Sequence, residues 1–185
     1  VLDEKRLYFE VIPDSIIRLC ADSFRVMSET ESISKCSESF SPAPLLKSVS
    51  ITSRKWILLK SVKGTDSPDY GGLVYRRICL MAYNFNSEET CDSVSRLDFE
   101  GWRSNSARTE FPIPGIHAPP FILVKGAKNT LVLSIGCVDV EFGVNYKSIA
   151  NKIVEILDSH KPRLFLVCGC GGPLERLWPA DSTMN

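Results

Sequence analysis

The chain has 185 residues, 44% of them hydrophobic and 24% charged, with 22 basic side chains balancing 22 acidic ones. That is the make-up of a globular domain, so a disordered or fibrous chain is excluded, and no global charge dictates a nucleic-acid or membrane partner. No apolar run approaches the ~18 residues of a membrane span, and no signal peptide is read in these residues; the seven cysteines, at 20, 36, 79, 91, 137, 168 and 170, are odd in number and irregularly spaced, which predicts free thiols in a reducing compartment and no structural disulfide.

In chain order, Arg6–Ile12 alternates as a strand would, and Pro13-Asp14-Ser15 supplies a stop and a helix cap. Ile16, Ile17, Leu19, Cys20, Phe24 and Met27 then predict one apolar face of a helix of about 14 residues. Ser28–Ser50 is rich in Ser and Glu around Pro42-Ala43-Pro44 and is expected to be a long mobile loop. Trp56–Val62 predicts a strand with Lys at its edges, 64–72 a turn region, and Leu73–Phe85 a long strand in which neighbouring Arg76 and Arg77 point to opposite faces. Asn86–Cys91 is expected as a polar turn and Val94–Trp102 as another strand, followed by an irregular stretch with prolines at 112, 114, 119 and 120.

The clearest signal begins at Phe121. Phe121–Val124 and Thr130–Phe142 are apolar runs joined by a short turn at Gly126–Asn129, the pattern of a hairpin. From Tyr146 the period changes: apolar residues at 146, 149, 150, 153, 156 and 157 predict an amphipathic helix capped by Asn145 and stopped by Lys161-Pro162. Arg163–Cys168 returns to strand character, and Leu174–Trp178 predicts one helical turn. The whole predicts an α+β fold: one domain over residues 1–185, a mostly antiparallel sheet with two packed helices and a Ser-rich loop at 28–50.

No catalytic residue, metal ligand or cofactor is assigned. His117 lies in the proline-rich stretch and His160 at a helix end beside Lys161, where a favourable dipole contact suffices to explain it. Gly169-Cys170-Gly171-Gly172 follows a strand but lacks the Lys-Ser/Thr ending of a phosphate-binding loop. Cys168 and Cys170 are too close for a zinc knuckle. An enzyme reading would need a pocket around Cys168 or His117. The candidate functional surface is instead the run from 54 to 77. Arg54, Lys55, Lys60, Lys63, Arg76 and Arg77 face only Asp66 and Asp69, six charges against two, a local +4. Trp56 and Tyr75 are interleaved with the cations. Such a surface attracts phosphates or anionic headgroups. The alternative is a solvated edge strand whose lysines guard against aggregation.

Glu100-Gly101-Trp102-Arg103, Arg108, the four prolines, and Pro120–Gly126 leading into Leu131–Ile135 resemble the central part of rhabdovirus matrix proteins. Val74–Leu80 is similar to the preceding strand of that family, and the resemblance spans about residues 70–168. It implies a non-enzymatic α+β protein that self-associates and bridges the viral nucleocapsid and the inner, anionic face of the envelope, in the virion and peripherally in the host cytoplasm, with host adaptors as further partners. The chain departs from that family in a start that is acidic or missing where the family carries a basic tail, in its neutral charge, and in Ser41-Pro42-Ala43-Pro44 and Pro119-Pro120-Phe121-Ile122 in place of budding motifs. A rival resemblance, in the final helix and Arg163–Val167, is to proteasome assembly chaperones, which implies a stable heterodimer with one defined partner.

Overall fold

The computed structural model describes residues 3–30, 51–67, 71–94, 121–135, 146–157, 162, 164–168 and 174–178. Residues 31–50, all of 95–120 with His117, 136–145 with Asn145, His160 and 169–173 lie outside the described residues, so the readings made on them do too.

The chain opens on a helix, α1, in three contiguous parts: Glu4–Arg6, a π turn at Leu7–Val11, and Ile12–Leu19. The strand expected over Arg6–Ile12 is therefore helical. Pro13 does not stop this helix; it widens it. Lacking an N–H, Pro13 cannot serve the carbonyl of Phe9, and the ladder shifts to a five-residue spacing in which the Ile12 amide donates to the Leu7 carbonyl. Leu7, Tyr8, Ile12 and Ile16 are all buried, so the apolar stripe that alternated in the sequence closes on one face. The helix ends at Leu19, not near Met27. Phe24 and Met27 belong to the first strand.

Among the described residues nine strands follow: β1 Phe24–Thr30, β2 Ile51–Ser61, β3 Thr65–Ser67, β4 Gly72–Val74, β5 Arg77–Phe85, β6 Phe121–Lys125, β7 Asn129–Ile135, β8 Leu164–Cys168 and β9 Leu174–Trp178. Seven of them form one sheet in the order β1-β2-β5-β7-β6-β8-β9, and every pairing is antiparallel; β3 and β4 make a separate small hairpin. Residues 88–94 form a short helix, α2, where a polar turn was expected, and Tyr146–Leu157 form α3. The expected α+β class and antiparallel sheet are found. The last segment, expected as a helical turn, is β9.

Strand alternation divides the core in two. Ile57, Leu59, Ile78, Leu80, Ala82, Ile122, Val124, Leu131 and Leu133 face α1 and α3, which contribute Leu7, Tyr8, Ile12, Ile16, Ile149, Ala150, Ile153 and Leu157. Trp56, Cys79, Met81, Tyr83, Phe85, Leu123 and Val132 face the other way and meet Cys91 and Val94 of α2. Burial on both sides explains why β5 reads as an unbroken apolar run with no two-residue period.

The β6–β7 turn is gripped from both sides. Its Gly126 amide donates to the Asn129 carbonyl at 2.8 Å, and the Ala127 amide donates to the Glu4 carboxylate at the start of α1. A side chain at 126 would collide with that carboxylate and reach 3.0 Å from the Tyr8 hydroxyl. On the opposite side Lys125, only 7% exposed, pairs with Asp92 of α2. Hairpin, α1 and α2 are thereby fixed together.

Candidate anion-binding surface

The six cations singled out in the sequence do not form one face. Lys55 lies on the α1 side of the sheet and pairs with Glu29 of β1 at 2.7 Å. It borders a trough of about 560 Å³ with Asp3, Lys5, Arg6, Phe9, Glu10 and Glu29. Three carboxylates there meet three cations, and Arg6–Glu10 is a second formed pair. The trough neutralises itself and offers no net attraction. Arg54 is half-buried on the other face, opposite Tyr83. It stands six positions along β2 from Lys60, a span of about 20 Å at ~3.3 Å per residue.

Lys60 and Arg77 do come together. They are direct cross-strand partners between β2 and β5, and Arg25 is the partner of Lys60 on β1. Antiparallel partners share a face, so three cations occupy one row, Arg25–Lys60–Arg77, at the end of the sheet beside the β3–β4 hairpin. Arg25 turns its guanidinium partly back, donating to the carbonyls of Ala21 and, at 3.0 Å, Phe24. Lys60 Nζ stands 4.0 Å from the centroid of the Tyr75 ring, a cation–π contact that fixes the ammonium without neutralising it. Arg77 is exposed. Among the described residues neither Lys60 nor Arg77 forms an ion pair. Like charges held directly opposite each other repel, and an anion placed between them relieves that repulsion.

Arg76 stands just before β5, outside the strand, so the expected opposition of Arg76 and Arg77 across one strand does not arise. Its backbone is clamped by Ser61: the Ser61 amide donates to the Arg76 carbonyl at 2.9 Å, and the Arg76 amide donates to Ser61 Oγ at 3.0 Å. Ser61 Oγ in turn donates to the Lys63 carbonyl at 2.9 Å. This clamp holds the turn that carries exposed Lys63 against the start of β5, and so sets the hairpin beside the cation row. Sequence reasoning missed Arg25, because Phe24–Met27 was placed on a helix; only the β1–β2 register brings it to Lys60.

No group of three or more His, Cys, Asp or Glu among the described residues is arranged to hold a metal ion, and no described helix is long and apolar enough to cross a membrane. Compared with known protein families, curated proteins and solved structures, the chain matches none of them.

Proposed function

We propose that this is a non-enzymatic assembly protein of the matrix type, which works by multivalent weak contacts between copies of itself and acidic partners, nucleocapsid phosphates and the inner face of an envelope. The observation that carries the reading is the Lys60–Arg77 pair, two like charges held in register with no ion-pair partner among the described residues. Each cation contributes about 1 kcal/mol near an anionic surface, and an array of subunits multiplies a contact too weak alone. Electron microscopy of purified protein at low salt tests the self-association: sheets or tubes are expected, and a strictly solitary subunit at high concentration overturns the reading.

A second reading, an adaptor of the proteasome-assembly-chaperone type in a stable heterodimer, draws support from β1. This strand is first in the sheet order, and its Val26 and Met27 are 44% and 57% exposed. Such an edge suits a single fixed partner that adds a strand. Affinity capture followed by size-exclusion chromatography separates the two: one stoichiometric partner and no larger assemblies favours the adaptor.

A further inference from the structure

The proposed function leaves open which acidic partner the cation row meets, and the apolar residues around it narrow that choice. Leu73 of β4 is 62% exposed, the most exposed large apolar side chain among the described residues, and Val62, in the turn entering the same hairpin, is 48% exposed. Leu73 is contiguous with the row: a Cβ on Gly64 would lie 2.9 Å from Leu73 Cβ and 3.3 Å from the Tyr75 ring, and Tyr75 carries Lys60 on its face. The order in space is therefore exposed leucine, aromatic ring, ammonium, guanidinium. Among the described residues the exposed acids in the same region are Asp22, next to the Ser23 carbonyl that accepts the Val62 amide at 2.9 Å, and Asp66, the strand partner of Leu73. Against these two, among the described residues, stand Arg25, Lys60, Lys63, Arg76 and Arg77, a net +3 there.

A nucleic acid would satisfy the cations and leave Leu73 and Val62 in water. A bilayer takes both: headgroup phosphates and carboxylates meet the cations while apolar side chains enter the acyl boundary. We infer that exposed Leu73 and Val62 form a membrane-inserting wedge, Leu73 its anchor and the Lys60–Arg77 pair its headgroup contact, and that the occupant of this surface is an anionic lipid bilayer. The inference rests on the proposed function and commits that same surface to one partner. Tyr75 holds the Lys60 ammonium on its ring face, at the level where headgroups lie when Leu73 is submerged.

The test uses the full chain with vesicles of phosphatidylcholine containing phosphatidylserine, vesicles of phosphatidylcholine alone, and a single-stranded oligonucleotide. Co-sedimentation is expected with the anionic vesicles only. Leu73→Ser should bind them about tenfold more weakly, since part of a leucine's burial is lost. Lys60→Gln/Arg77→Gln should bind about 30-fold more weakly, two cations' worth. Leu73→Trp should show a blue-shifted emission on the anionic vesicles. Leu73 is exposed, so Leu73→Ser and Leu73→Trp should match the parent in urea midpoint, and the charge variant should be at least as stable as the parent. If Leu73→Ser binds as the parent does while the charge variant fails, the wedge is wrong and the anion-binding surface stands. Tighter binding to the oligonucleotide than to the vesicles also overturns the wedge, leaving the nucleocapsid side of the function intact. No binding to vesicles or oligonucleotide, by a folded chain at low salt, removes both.

Discussion

Replacing Arg77 by Glu should make the protein more stable and less able to bind anions. Arg77 and Lys60 are direct partners across β2 and β5, with Cβ atoms about 5 Å apart in such a pair. Charged heads roughly 6 Å apart repel by about 0.7 kcal/mol at the dielectric of water. Reversing one sign removes this repulsion and adds a similar attraction, a ceiling of about 1.4 kcal/mol. Side-chain freedom and screening at an exposed site reduce it, so a gain of about 0.5–1 kcal/mol is expected. Arg77→Gln should gain roughly half as much. Lys60 keeps its contact with Tyr75 in both variants, which makes Arg77 the cleaner position to change. Urea unfolding at 25 °C, at low salt and again near 1 M salt, reads the effect, which should fade at high salt as the Debye length shrinks to about 3 Å. Loss of stability on Arg77→Glu at low salt, or a gain indifferent to salt, would refute the argument that this pair is held in mutual repulsion.

Three further outcomes follow from the packing. Gly126→Ala displaces the Glu4 carboxylate from the Ala127 amide, so it should cost about 2 kcal/mol, the range for a hydrogen bond to a charged group; in a Glu4→Ala background most of that penalty should vanish, and additive losses in the double-mutant cycle would contradict the contact. Asp92→Asn leaves Lys125 buried without its counter-charge and should cost about 1–3 kcal/mol by urea unfolding. Tyr8 holds its proton well above the ordinary tyrosine range, chiefly because it is buried and secondarily through the charges of Glu4 and Cys91. The unfolded chain ionises near pH ~10, so Tyr8's contribution is complete below that pH and declines above it; Tyr8→Phe should flatten the alkaline arm of the stability–pH curve.

Two stretches, 121–135 and 146–157, were legible because local pattern and tertiary demand agree there. The β6–β7 hairpin with its Gly126 turn, and the 149, 150, 153, 157 stripe of α3, are each specified within about a dozen residues. The start was misread because Arg6–Ile12 alternates only by coincidence. The burial of Leu7, Tyr8, Ile12 and Ile16 follows a helix whose ladder Pro13 has widened, and a proline inside a helix usually argues for its end. Leu174–Trp178 was misread because a five-residue segment gains its strand identity from pairing with β8, which short-range pattern does not contain. The candidate site was half legible. Composition located the cations, but their grouping depends on register: a one-residue slip moves a side chain to the opposite face. Register sends Lys55 to Glu29, leaves Arg54 with Tyr83, and joins Lys60 to Arg77 and Arg25.

The measurement that bears most directly on the central claim is co-sedimentation of the full chain with phosphatidylserine-containing vesicles across a salt series from about 0.05 to 0.5 M, where the Debye length falls from roughly 14 to 4 Å. Binding that is strong at the low end and lost at the high end is predicted, with Lys60→Gln/Arg77→Gln weak throughout. Binding of the same strength at both ends, or equal in parent and variant, would contradict a surface built on this cation pair.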